Sequence, residues 1–307
     1  MSINLGVCLP TFAARGEGSL REIPALARHA EQVGLDTVWA GDRLCARTPF
    51  LESVVALSAA AAVTARVRIG FAVMLLALRQ QAWAAKQLSS LQYLSGNRVL
   101  LGVGAGVHPE DWPLGGVPFA GRGRRTDAVL RALPELLAGR ATALLTEPQV
   151  PVLTLEPAVP APPVWVGGMS DRALRRALDH GVGWLASLLE PVQLGERVGK
   201  LAGLAAEAGT RAPEVGTTVF AALSTDPEEN RQGNRRLVRH LRSLTGEEGL
   251  SERQAARLVV SGPPELLAER LDQYRREGAS TFVVNLSGGG LRRQYDLLAR
   301  TRELLLC

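Results

Sequence analysis

Short, nearly continuous apolar runs alternate along the chain with longer stretches whose apolar residues recur about every three to four positions. The first pattern suits strands buried on both faces, the second helices with one buried side. INLGVCLP (3–10), DTVWAG (36–41), VRIGFAVML (67–75) and RVLLGVGAG (98–106) predict four strands. VWVGG (164–168), GWLAS (183–187), EVGTTVFAAL (214–223) and STFVVNLS (280–287) predict four more. Helices are predicted over 19–34, 51–65, 80–95, 122–138, 170–181, 191–209, 263–278 and 291–305. Ser19 fits a helix cap, Gly34 a stop, and prolines open the helix at 263.

Eight strand–helix pairs in succession predict an α/β fold in which a parallel sheet closes on itself. The expected architecture is a single (β/α)8 TIM barrel spanning 1–307. A doubly wound open sheet is the alternative, and the eight regular units favour closure. Two insertions interrupt the alternation. The proline-rich segment 139–163, after the fourth unit, predicts a loop or hairpin excursion over one end of the fold. Residues 226–257, after the seventh, predict a charged helical insertion. In such barrels the chemistry sits at the C-terminal ends of the strands.

Composition changes this picture little. The 307 residues are 46% hydrophobic and 21% charged, ample for one large core. No uncharged apolar stretch reaches the roughly 18 residues a membrane helix needs, and the N-terminus reads as a strand, not a signal peptide. Cys8, Cys45 and Cys307 are odd in number and widely spaced, so neither a disulfide framework nor a metal site is expected. A reducing, cytoplasmic setting follows from that usage. The net charge of +5 is carried almost wholly by arginine, since Lys86 and Lys200 are the only lysines. The arginines are scattered through amphipathic helices without interleaved aromatics, so no nucleic-acid partner is expected. A compositionally biased surface is the expected reading of these arginines, with a basic mouth attracting an anionic small molecule as the alternative.

The glycines of GVGAGVHPEDW (102–112) pose the main chemical question. A dinucleotide-binding loop needs a third glycine where Val107 stands, and a helix where Pro109 and Pro113 stand. The glycines therefore belong to a strand top facing the site of a barrel. The other strand tops are LPTF (9–12), WAGDRL (39–44), GFAVML (70–75), VWVGGMSDRAL (164–174) and VVNLS (283–287). In this order they resemble the bacterial luciferase-like family of flavin- or deazaflavin-dependent oxidoreductases, over nearly the whole chain. The stretches 91–133 and 260–284 carry the resemblance most specifically.

The resemblance implies a cofactor across the strand tops, coenzyme F420 or alternatively FMN. It implies a cis peptide at Ala72–Val73, whose bulge backs the central ring. Gly104, Gly106 and Val107 would line the ribityl side; the alternative is that the glycines relieve crowding at the rim. Gly167, Gly168, Met169 and Ser170 would seat the phosphate at a helix N-terminus, with Ser170 also a cap. A capped glycine turn without ligand is the simpler alternative.

Related alcohol dehydrogenases carry Asp-His at the second strand top, where this chain has Asp42-Arg43. Arginine is a poor base but can hold an anion or polarise a carbonyl. The family's glutamate after the glycines is Val107 here. Asp42, Arg43 and His108 are therefore the catalytic candidates, with Glu110 and Asp111 placed to orient His108. His29, His180 and His240 fall in helices where a surface role is expected. Thr11, Phe12, Met74 and Trp112, with Trp39, are candidate substrate-pocket walls. Arginines in 121–127 and 231–242 favour the deazaflavin over FMN. The expected activity is hydride transfer between F420 and a small organic substrate, as a reductase of C=C, C=N or C=O rather than an alcohol dehydrogenase. Alternatives are an FMN-dependent monooxygenase using O2 and reduced flavin from a partner reductase, and an inactive flavin-binding relative. A homodimer is a further expectation.

Overall fold

Eight parallel strands close into a cylinder in the computed structural model, which describes residues 3–12, 20–45, 48–144, 152–245 and 249–306. The strands are β1 (Asn4–Cys8), β2 (Thr37–Ala40), β3 (Arg68–Phe71), β4 (Val99–Val103), β5 (Val164–Gly167), β6 (Gly183–Ala186), β7 (Glu214–Leu223) and, last in the chain, β9 (Thr281–Leu286). Each pairs with its sequence neighbour, β6 pairs with β7, and β9 lies between β7 and β1, which closes the ring. This is the (β/α)8 barrel that the alternation predicts.

The outer wall comprises α1 (Ile23–Gln32), α2 (Ser53–Ala61), α3 (Gln81–Leu94), α5 (Arg122–Leu137), α6 (Asp171–His180), α7 (Pro191–Glu207), α10 (Pro264–Arg276) and α11 (Leu291–Leu306). A one-turn helix, α4 (Asp111–Leu114), interrupts the loop after β4. The main core lies between strands and helices and includes Leu5, Val7, Ile69, Phe71, Leu101, Val166 and Phe282, all fully buried. Inside the barrel a smaller cluster of Trp39, Leu100, Trp165, Leu185 and Val283 fills the cylinder. The two indoles fit because the strand positions they cross are Gly70 and Gly183. A Cβ there would lie 2.2 and 2.4 Å from the rings of Trp39 and Trp165. Trp39 is therefore barrel filling rather than the substrate wall expected for it.

The seventh unit departs from the prediction. Residues 226–257 hold α8 (Pro227–Thr245) and α9 (Glu252–Leu258), and a strand follows, β8 (Val259–Gly262). β8 pairs with the second half of β7, Phe220–Leu223, beyond the reach of β6 on that edge. A four-residue apolar run beside a helix has no period of its own, so the pattern could not distinguish it. This insertion buries its own cluster of Phe220, Leu237, Leu241, Ala255 and Leu258. The excursion after α5 pairs Thr142 with Leu153 in an antiparallel bridge, both N–H···O distances being 2.9 Å. Its prolines then run along α3, where Ser89 and Gln92 donate to the carbonyls of Pro157 and Pro160 at 2.6 and 3.0 Å. This described part runs along the barrel flank, while 145–151 of the expected excursion lie outside the described residues. Among the described residues no helix is long and apolar enough to cross a membrane.

Candidate active site at the strand C-termini

A shelf is built where β3, β4 and β5 end. The Ala72–Val73 peptide is cis, as the resemblance implies. Ala72 N–H donates to the Ala40 carbonyl at 2.8 Å, and Met74 N–H to Gly102 at 2.7 Å. Val73 is thereby laid across the next two strand tops. A Cβ at Gly104 would come within 2.4 Å of Val73 Cγ2, and one at Gly167 within 2.8 Å of Cγ1. These glycines thus make room for Val73, so the rim-crowding alternative holds for Gly104. Arg122 Nε donates to the Gly106 carbonyl at 3.0 Å, which ties the start of α5 to this loop. Val107 is 75% exposed, so its side chain stands at the mouth and not on the shelf.

At the far edge, Trp184 Nε1 holds the Gly168 carbonyl at 2.8 Å. Ser170 caps α6, its Oγ accepting from Ala173 N–H at 3.3 Å. Gly168 and Ser170 are exposed, while Met169 packs partly on the core. A flavin or deazaflavin phosphate needs clustered N–H and hydroxyl donors at a positive helix end, and that donor set is here. The apolar Ala72–Val73 ledge beside it offers a ring system a flat face. The residues present fit such a cofactor.

Below the shelf the inward parity of Leu185 and Val283 carries on to Ser187 and Asn285, both partly accessible. Thr218 Oγ1 donates to Ser187 Oγ at 2.6 Å. Sequence reading missed this polar floor, because GWLAS and GTTVF read as uniformly buried strands.

Two charged knots stand on the other side. Asp42 is buried and fully engaged. Ser53 Oγ and Arg79 Nη2 bond its Oδ1 at 2.9 Å each, while Leu75 N–H and Arg79 Nη1 bond Oδ2 at 2.9 and 2.6 Å. Arg79 also holds Glu52 at 2.8 Å, and Glu52 caps α2 through Val55 N–H. Both Asp42 oxygens are occupied, so Asp42 is an anchor joining β2, α2 and the loop after β3. It does not present a catalytic carboxylate.

Arg43, next in the chain, turns the other way. Its Nη2 donates to Glu110 Oε1 at 3.2 Å and its Nε lies 2.9 Å from Asp111 Oδ2. Asp111 is buried and also accepts from Cys45 N–H at 3.1 Å. His108 Nδ1 stands 3.4 Å from the same Glu110 oxygen. Burial first, and then the Arg43 charge, push the His108 pKa below its usual 6.5, against the pull of Glu110 and Asp111. The structure thus brings Arg43, His108, Glu110 and Asp111 together, leaving a neutral imidazole at the mouth.

The aromatic wall differs from expectation. Phe12 forms an antiparallel bridge with Phe50, their rings 6.0 Å apart. Its other contact is His240, stacked at 4.4 Å with planes 11° apart. His240 comes from α8, so the insertion folds back onto the top of β1 and the ring is half-buried, not a surface group. Burial depresses its pKa to about 4. Met74 is fully buried in the strand–helix core, and Trp112 packs against Leu75, Leu78 and Phe119 behind the loop after β4. Neither lines the cleft, because the residues around them supply enough apolar surface to bury them. Thr11 is buried with its Oγ1 unpartnered among the described residues, in line with Phe50 and the Ala72 carbonyl around Gly41.

Comparison with known proteins places this architecture. A family model described as luciferase-like monooxygenase matches residues 3–281. An uncharacterized protein of Mycobacterium tuberculosis is 41% identical over 167 residues, 54% of this chain and 58% of that protein. The chain thus matches little more than half the length of this relative. Among solved structures, an F420-dependent secondary alcohol dehydrogenase in complex with an F420-acetone adduct superposes with a TM-score of 0.82 at 16% identity, covering 99% of both chains. EDTA monooxygenase from Chelativorans sp. BNC1 superposes with a TM-score of 0.78 at 17% identity, covering 99% of this chain and 94% of the other. At such identities the likeness is one of fold.

Proposed function

The chain belongs to the luciferase-like monooxygenase family, and from that premise we propose that it is an F420-dependent oxidoreductase transferring hydride between the deazaflavin and a small organic substrate. Reduction of a C=C, C=N or C=O bond is the favoured direction. The observation that supports this reading is the place of His108, beside Arg43 and Glu110 at the cleft mouth, where an imidazole can exchange a proton with a bound substrate. Ala72, Val73 and Gly104 would hold the ring system, and Gly167, Gly168, Met169 and Ser170 the phosphate. The bound deazaflavin supplies a ring carbon that gives or accepts hydride.

The protein's own residues position the substrate and move its proton. Arg43, charge-paired with Glu110 and Asp111, cannot serve as the base but orients the loop carrying His108. Nδ1 of His108 faces Glu110, which leaves Nε2 for the substrate. In the reducing direction the imidazolium donates a proton at Nε2 as hydride arrives. Phe12, Phe50 and His240 form the opposite wall and exclude water.

A second reading, an FMN-dependent monooxygenase fed reduced flavin by a partner reductase, is favoured by the family's description and the EDTA monooxygenase likeness. Titrating the purified protein with F420 and, separately, FMN, followed by fluorescence quenching, distinguishes the two. Tighter F420 binding is expected. Binding of FMN alone overturns the first reading, and binding of neither points to an inactive relative.

A further inference from the structure

Three polar side chains on the inner face of the barrel have hydrogen-bonding capacity that the fold does not use. Trp184 and Ala186 of β6, like Phe282 and Val284 of β9, pack outward in the main core, while Leu185 and Val283 pack inward. Ser187 and Asn285 share the inward parity. Thr218 pairs in register with Val283, and Gly216, two residues before it, meets Trp165 and Leu185, so Thr218 lies on that face too. Thr218 Oγ1 donates to Ser187 Oγ at 2.6 Å. The two hydroxyls carry two protons and this bond uses one, so one donor is spare. The Asn285 carboxamide makes no hydrogen bond among the described residues. Adjacent strands lie about 4.8 Å apart and two residues rise about 6.6 Å, which sets the Cα atoms of Thr218 and Asn285 about 8 Å apart.

These groups are under cover. Past Thr218 the same face of β7 continues as Phe220 and Ala222, which pack with Leu237 and Leu241 of α8. A Cβ on Gly233 of α8 would stand 2.3 Å from Ala222, so helix and strand are in close contact there. α8 thus leans over the β7 side of the mouth, and its His240 reaches Phe12 at the top of β1. Opposite, Ala72 and Val73 pack on the inner cluster.

The surround also lacks an open charge. Val7 pairs with Val284, which sets Cys8 level with Asn285. Its thiol is uncharged, burial pushing its pKa up to about 12. Arg43 and Arg79 are paired with Asp111 and Asp42. Arg236 of α8, which stands against Gly288, is itself engaged.

We propose that Ser187, Thr218 and Asn285 set substrate specificity: they hold the carbonyl or carboxamide group of an uncharged molecule beside the cofactor shelf and disfavour the corresponding carboxylate. This rests on the substrate lying in this cleft, as in the reading above, and holds for either cofactor. A carbonyl oxygen accepts the spare hydroxyl proton and an Asn285 N–H, and a carboxamide N–H returns a bond to Asn285 Oδ1. A carboxylate brings a charge that no free cation here balances, and its second oxygen meets Oδ1, another acceptor.

Isobutyramide and isobutyrate share a shape and differ in charge, so they serve as probes. The chain has five asparagines. Isotope-labelled asparagine therefore gives a simple side-chain amide spectrum, in which Asn285→Leu identifies the Asn285 signals. Titrations are made on the cofactor-free protein and repeated with the tighter-binding cofactor. Isobutyramide is expected to move the Asn285 signals saturably and to bind about tenfold tighter than isobutyrate. The double variant S187A/T218V should weaken isobutyramide about fivefold while isobutyrate moves less than about twofold, a loss of selectivity that a merely structural hydroxyl pair does not produce. Circular dichroism melts check its folding, and Ser187→Ala alone should change selectivity in the same direction. Asn285 signals that stay still, or equal or tighter binding of isobutyrate by the wild type, overturn the proposal. If a cofactor binds and Asn285 does not respond, the specificity floor falls and the oxidoreductase reading stands. If isobutyramide moves Asn285 and neither F420 nor FMN binds, the reverse holds.

Discussion

Two arginine-rich regions flank the shelf, and they are built in opposite ways. On the β2 side, Arg79 is chelated by buried Asp42, and Arg43 is shared between Glu110 and Asp111. On the β5 side, Arg124, Arg172 and Arg175 line a groove and make no direct ion pair among the described residues, Arg175 acting on Asp171 only at longer range. A charge satisfied inside the protein holds architecture, whereas one left open is available to something outside it. The residue type is the same; the carboxylates that the fold brings to it decide its work.

The contrast can be broken most directly at Asp42. Asp42→Ala leaves the Arg79 guanidinium with the more exposed Glu52 as its remaining carboxylate and leaves Leu75 N–H without its acceptor, and about 3 kcal/mol of stability is expected to be lost. Urea unfolding measures it, and an unchanged midpoint and slope would end the description of this knot as an anchor. Next comes His108. With folding intact, His108→Gln is expected to lower kcat about a hundredfold.

The sign of the pH dependence follows from the proton's direction. For a reduction His108 must be protonated, so the rate rises as pH falls toward its pKa below 6.5. Arg43 depresses that pKa, so Arg43→Gln moves the profile to higher pH. A profile that does not move separates Arg43 from His108.

The shelf between the two regions is probed by Gly104→Ala. The added methyl meets Val73 Cγ2 and is expected to cost about 1–3 kcal/mol with loss of cofactor affinity. Adding Val73→Ala restores part of both. If the second substitution rescues nothing, Val73 is not what the glycine accommodates.

A smaller effect is expected at His240. Its folded pKa of about 4 lies below the unfolded value near 6.5. Between those values the unfolded chain binds more protons, so stability is full above about pH 6.5 and is lost as pH falls toward 4. His240→Phe keeps the stack with Phe12 and removes this component, so the difference in Tm between variant and wild type should widen only below pH 6.5. A constant difference counts against the buried stack.

The eight barrel strands were legible because burial on both faces writes an unbroken apolar run, and the helices because one buried face writes a period. β8 was not, since Val259–Gly262 is too short to show either. At the site, the strand-top order marked Ala72–Val73, Gly104 and Gly167–Ser170 through family likeness. Arg43, His108, Glu110 and Asp111 were each suspected, but not that Arg43 is paired. His240 could not be read as a wall residue, because helical periodicity says which face of α8 is apolar and nothing about which strand top it meets. Met74 and Trp112 show the converse: an apolar residue near a strand top writes the same letter whether it lines the cleft or fills the core.

The order of elements, their type and the closure of the barrel were settled along the chain, by backbone periodicity and short connections that need only local information. Which charges cancel was settled in space. Arg43 meets Glu110 across 67 residues and Arg176 meets Asp127 across 49, while Phe12 from the first strand top stacks on His240 from an insertion near the other end of the chain. Those meetings depend on the radius, twist and register of the closed cylinder, which no local pattern encodes.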